Sequence, residues 1–114
     1  MKSAAETRLA TYGTLGPGKS NHHELAGMRG RWMRGCVRGT LYPEGWGAAE
    51  GYPGIILDPE ADIVEVDLFQ SDDLPDHWPR LDAFEGKGYR RVVVTVATPD
   101  GDVEACIYAL ARPA

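Results

Sequence analysis

Sulfur is scarce in this chain, and long apolar runs are missing. Two cysteines among 114 residues, Cys36 and Cys106, cannot build a disulfide scaffold, and neither belongs to a C-x-x-C pair. Both read as buried free thiols, without the local context of a nucleophile. No apolar run reaches the ~20 residues that a bilayer crossing needs, and residues 1–9 lack the hydrophobic stretch of a secretory signal. A cytoplasmic protein without a membrane partner is therefore expected. The three histidines, His22, His23 and His77, form no H-E-x-x-H and no i, i+4 pair, which predicts no metal site. Serine-nucleophile chemistry has no G-x-S-x-G elbow to build on. Positive charge is also in deficit, with 12 Lys and Arg against 17 Asp and Glu and a net charge of −5. That balance argues against nucleic acid as a partner. The one basic cluster, Arg29, Arg31, Arg34 and Arg38, is broken up by glycines.

What is present suits one small domain spanning residues 1–114, since 43% hydrophobic residues supply a single core. Fourteen glycines and eight prolines punctuate the chain at short intervals, favouring brief strands joined by turns. Strands are predicted over 7–12, 35–42, 54–57, 63–69, 90–97 and 103–110, the alternation of Val64, Val66 and Leu68 giving the fourth a buried face. Segments 54–57 and 63–69 read as a pair turning through Asp58-Pro59-Glu60. The last two read as a hairpin around Thr98-Pro99-Asp100-Gly101. One short helix is predicted from a Ser20 cap to about Ala26. A second carries Leu74, Trp78, Leu81 and Phe84, with Pro75 and Pro79 confining it to the second half of 73–84 and Gly86 stopping it. Six strands with so little helix cannot cover both sheet faces unless the sheet curls. The predicted fold class is α+β, a small mixed and partly closed β-barrel with two short helices. Trp32, Trp46 and Trp78 are expected in the core or in a pocket wall.

The segment Tyr12-Gly13-Thr14-Leu15-Gly16-Pro17-Gly18-Lys19-Ser20 satisfies two signatures. From Gly13 it is a complete G-x-x-x-x-G-K-S phosphate loop, and Gly54-Ile55-Ile56-Leu57-Asp58 could pose as the strand ending in a magnesium-binding aspartate. Three features oppose a nucleotide hydrolase. Pro17 has no NH to give an anion nest. Any helix after Ser20 meets Gly27 and Gly30 within about two turns. The C-terminal half reads as antiparallel hairpins, where a phosphate-loop fold needs repeated strand-helix-strand units.

Read from Tyr12, the same segment resembles the opening of the gamma-glutamylcyclotransferase-like family, which includes gamma-glutamylamine cyclotransferase. Asn21-His22, Gly39-Thr40-Leu41-Tyr42, Gly51-Tyr52-Pro53-Gly54, Leu81-Asp82-Ala83-Phe84-Glu85-Gly86, Tyr89-Arg90-Arg91-Val92 and a last strand carrying Tyr108 follow in the family's order, from about Thr7 to Leu110. The resemblance implies a barrel enzyme without a cofactor. Its first loop, Tyr12, Gly13, Thr14 and Leu15, would cradle a glutamyl group through backbone NH groups, and Glu85 would be its single catalytic acid. The implied substrate is a small gamma-glutamyl compound and the state a monomer or homodimer.

The chemistry fits those residues. The α-amine of a γ-glutamyl compound can attack its own γ-carbonyl, closing 5-oxoproline and expelling an amine. One carboxylate can take the ammonium proton and return a proton to the leaving nitrogen, best with a pKa near the working pH. Glu85 ends an apolar turn with Leu81 and Phe84, where burial and the negative end of a helix both oppose its charge. Tyr12, Tyr89 and Tyr108 are expected to line the pocket with hydroxyl donors. Asp82 is expected to cap or bond backbone, since one acid suffices. Where the family commonly shows a Val-x-Gly-Glu-Leu-Tyr strand, this chain has Val64-Glu65-Val66-Asp67-Leu68-Phe69, which would narrow backbone access to the pocket. No gating tail is expected after Tyr108. A non-catalytic ligand-binding or interaction domain on the same barrel is the alternative reading.

Overall fold

The computed structural model describes residues 4–13, 15–18, 22–43 and 53–110. Among them are six strands, β1 (Arg8–Thr11), β2 (Arg31–Tyr42), β3 (Gly54–Leu57), β4 (Ile63–Gln70), β5 (Tyr89–Thr98) and β6 (Gly101–Leu110). One α-helix, α1 (Leu74–Glu85), lies between β4 and β5, and 3-10 turns occupy Ala4–Thr7 and His22–Leu25. The sheet order is β3-β2-β4-β1-β6-β5, with β2 pairing back onto β5. Five strands thus close a mixed barrel and β3 extends beyond it. All pairings are antiparallel except β1 with β6.

Alternation along the central strands builds two cores. On β6 all six residues from Ala105 to Leu110 are buried. Ala105, Ile107 and Ala109 face one cluster with Ala10, Val37, Val66, Leu68 and Val96, while Cys106 and Tyr108 face another with Leu9, Phe69, Leu74, Trp78 and Leu81. Successive side chains point to opposite sides of a strand, so the first cluster fills the barrel and the second lies beneath α1. Three alanines in the first cluster suit a five-stranded barrel, whose lumen has little room. Val66 belongs to that packed interior rather than to a pocket wall.

Several boundaries differ from the sequence reading. β2 begins four residues earlier than position 35. Segments 54–57 and 63–70 are not a hairpin: β3 and β4 lie on opposite sides of β2 in the strand order, pairing with residues 39–42 and 31–38 respectively. Helix α1 runs through both prolines. Pro75 sits in the first turn, where NH groups have no helical partner anyway, and Pro79 removes only the bond to the Pro75 carbonyl. The first predicted helix is instead the 3-10 turn His22–Leu25, curtailed by Gly27 at φ +88°; the Ser20 cap lies outside the described residues. Cys106 is buried, but Cys36 is only half-buried. Trp78 is core and Trp32 is half-buried against Phe69, whereas Trp46 lies outside the described residues. No helix among the described residues is long and apolar enough to cross a membrane.

Candidate active site

Helix α1 directs Leu74, Trp78 and Leu81 into the core, positions spaced i, i+4, i+7. Glu85 is the next position of that stripe, so the helix itself turns this carboxylate inward. Phe84 lies off the stripe and is 40% exposed, so it does not supply the apolar cover expected of it. Glu85 is half-buried, and burial alone pushes its carboxyl from 4.5 up to about 7. Gly86, at φ +78°, ends the helix and donates its NH to the Asp82 carbonyl.

Tyr12 and Tyr108 lie near this acid, and Tyr89 lies near Tyr12. Tyr12, immediately after β1, donates its hydroxyl to the Tyr108 carbonyl at 2.5 Å and accepts from the Ile55 NH at 3.2 Å. One phenol therefore ties the start of the barrel to β6 and β3. Tyr89 donates to the Pro53 carbonyl at 2.6 Å, and Tyr108 donates to Asp82 Oδ1 at 2.6 Å. Burial raises the hydroxyl pKa of Tyr12 and Tyr108, and the nearby Glu85 charge adds to the rise in both. All three hydroxyl protons are committed to protein acceptors, as buried polar groups require. In this arrangement the Tyr89 and Tyr108 oxygens keep lone pairs, while the Tyr12 oxygen also accepts from the Ile55 NH.

The first loop is partly visible. The Gly13 NH approaches Thr11 Oγ1 at 3.4 Å, and the Gly13 carbonyl accepts from the Gly16 NH at 3.3 Å. A Cβ on Gly13 would lie 3.6 Å from Pro53, so the loop runs beside the segment that anchors Tyr89. Leu15 is buried in the cluster beneath α1 with Tyr108 and Trp78. Thr14 lies outside the described residues.

Asp82 does not cap backbone with its side chain, as the sequence suggested. Its carboxylate accepts two bonds from Arg91, at 2.9 and 3.2 Å, besides the one from Tyr108. Arg91 in turn lies 4.6 Å over the Trp78 ring. Sequence reasoning missed this group because helix and strand meet only after docking; the spacing of Asp82 one turn after Trp78 was the available signal. A separate cavity of about 510 Å³ opens where β2 meets β5, lined by Cys36, Leu57, Val93 and Asp102 among others. None of the residues grouped around Glu85 lines it.

Residues 9–114 match the family described as Gamma-glutamyl cyclotransferase, AIG2-like. Among solved structures, YkqA from Bacillus subtilis is 28% identical with a TM-score of 0.71, over 91% of this chain and 35% of that one. The chain thus spans about a third of the Bacillus protein's length. PH0828 from Pyrococcus horikoshii, described as uncharacterized, is 25% identical with a TM-score of 0.66, over 95% of this chain and 81% of that one. An AIG2-like protein from Mus musculus shares the fold at 22% identity and a TM-score of 0.70, over 95% and 79%. A search of curated proteins gave no match.

Proposed function

This chain belongs to the AIG2-like gamma-glutamyl cyclotransferase family, and from that premise we propose that it releases 5-oxoproline and a free amine from a small γ-glutamyl compound, with Glu85 as the single general acid and base. The observation that carries this reading is a half-buried carboxyl, pushed up to about 7 by burial and grouped with Tyr12 and Tyr108. An acid in that range exchanges protons in both directions near neutral pH.

In the proposed reaction the Glu85 carboxylate takes a proton from the substrate α-ammonium. The freed amine attacks the γ-carbonyl carbon, forming the ring C–N bond and placing charge on the carbonyl oxygen. Protonated Glu85 then gives its proton to the departing nitrogen, the original amide C–N bond breaks as the carbonyl re-forms, and the regenerated carboxylate takes the second proton from the ring nitrogen and passes it to the released amine, which leaves as ammonium. Because attack is intramolecular, the remaining work is to hold the substrate folded. The tyrosine oxygens, whose protons point elsewhere, suit an ammonium. Backbone NH groups of the Tyr12–Leu15 loop, with Thr14 among them, are the proposed partners of the oxyanion and carboxylate.

Incubation with a panel of γ-glutamyl amines, amino acids and peptides, read out as 5-oxoproline, tests the proposal. Glu85→Gln is expected to lower kcat/KM by about 10²- to 10⁴-fold; undiminished turnover in that variant would exclude the assigned mechanism.

A further inference from the structure

We propose that Asp82 is a positioning residue, locking the last turn of α1 onto β5 and β6 and shielding Glu85 from the Arg91 guanidinium and the Tyr108 hydroxyl proton. The inference rests on the acid role proposed for Glu85 and deepens it.

Asp82 and Glu85 are three residues apart on one helix and so neighbour each other on its surface. The Asp82 backbone carbonyl holds the Gly86 NH at 3.0 Å, fixing the turn that contains Glu85. Its side chain reaches out to the barrel, accepting from Arg91 on β5 at 2.9 and 3.2 Å and from Tyr108 on β6 at 2.6 Å. The two-pronged contact with a planar guanidinium fixes direction as well as distance. Arg91 is held from its other side by the Trp78 ring at 4.6 Å, and the Trp78 indole NH donates to the Glu6 carbonyl at 3.0 Å. Helix, two strands and the N-terminal 3-10 turn therefore converge on one carboxylate.

The same bonds control the electrostatics of the acid. Tyr108 on β6 feels the charges of Asp82 on α1, Arg91 on β5 and Glu85, and Tyr12 after β1 feels those of Tyr89 and Glu85. Arg91 is the cation that acts on the Tyr108 hydroxyl. Paired with Asp82, it presents little net charge to Glu85, and Tyr108 cannot donate to Glu85 while it donates to Asp82. Replacing Asp82 by asparagine removes a negative charge, leaves Arg91 unneutralised and deprives Tyr108 of its anionic acceptor. All three changes favour the charged form of Glu85. Replacing Arg91 by glutamine leaves the Asp82 charge uncancelled and acts in the opposite sense.

The test follows the Glu85 carboxyl carbon by NMR titration in the wild type, Asp82→Asn and Arg91→Gln, alongside pH profiles of kcat/KM. Asp82→Asn is expected to lower the Glu85 midpoint by about one pH unit and Arg91→Gln to raise it, with the acid limb of kcat/KM moving in the same directions. Loss of positioning is expected to reduce kcat/KM about tenfold to a hundredfold in Asp82→Asn. A residue that merely supports the fold would not shift the midpoint in opposite directions in the two variants. An unchanged midpoint in both overturns the proposal, and Arg91→Gln carries the test if Asp82→Asn does not fold. A wild type inactive toward every γ-glutamyl compound would defeat the cyclotransferase reading instead, because the NMR titration needs no turnover.

Discussion

Glu85 stands where helix α1 calls for an apolar side chain, and this has a thermodynamic cost. An unfolded glutamate titrates near 4.5, while this one titrates at about 7. Between those values the folded state keeps a proton that the unfolded chain has lost, so stability falls as pH rises through the window. At about 1.4 kcal/mol per unit the loss is at most about 3 kcal/mol above pH 7. Glu85→Gln should therefore be as stable as the wild type near pH 4 and more stable at pH 8, by up to that amount, in urea melts. A difference that does not vary with pH would show that burial is not what holds the proton. Activity should move the other way, with wild-type kcat/KM rising as pH passes through about 7 because the carboxylate form starts the reaction. Asp82 contrasts with Glu85. Its side chain is 43% exposed, and a partly exposed ion pair adds only about 0.2–1 kcal/mol, so its value lies in direction rather than in stability.

At the scale of elements, legibility followed the range of the interaction. The β5–β6 hairpin was readable because its turn is local: Thr98 Oγ1 accepts from the Asp100 NH at 3.2 Å and donates to the Gly101 carbonyl at 2.6 Å. The partners of β3 and β4 were not, since the choice is made by β2, a strand long enough to serve both. That the sheet curls into a barrel was legible, but the place where it closes, a single ladder pair of Cys36 with Ala97, was not. Next to it, a Cβ on Gly35 would come within 2.5 Å of Val96 Cγ1 and 3.1 Å of the Ala97 carbonyl. Val96 is fully buried and branched, so it cannot swing aside. Gly35→Ala should destabilise the protein by about 1–3 kcal/mol, seen as a lower urea midpoint, while an unchanged midpoint would mean that the β2–β5 contact is not needed for closure. The same distinction applies at the site. Glu85 and Tyr12, the residues proposed for the site, stand in motifs, but the meeting of Asp82, Arg91 and Tyr108 depends on how α1 docks.

For the molecule as a whole, the fold decides between the two signatures carried by residues 12–20. Among the described residues, the one parallel pairing joins β1 to β6 and the one α-helix starts at Leu74, far beyond Gly18 in the sequence, so no α-helix begins at the end of the loop to present its N-terminus to a phosphate. Magnesium-ATP should leave the melting temperature unchanged, whereas a γ-glutamyl ligand at saturating concentration should raise it by several degrees in the non-cleaving Glu85→Gln variant. A shift with the nucleotide that is lost in Lys19→Ala would reverse the assignment. The pairing of β1 with β6 also bears on biosynthesis. A ribosome delivers β1 first and β6 last, at about 5–20 residues per second. For on the order of ten seconds, then, the flank of β1 that receives Leu9↔Cys106 and Ala10↔Ile107 has no partner strand, and closure must wait until nearly the whole domain has left the exit tunnel. The nascent domain stays open to misassociation until β6 emerges, and its cellular yield should depend on which factors shelter that open edge.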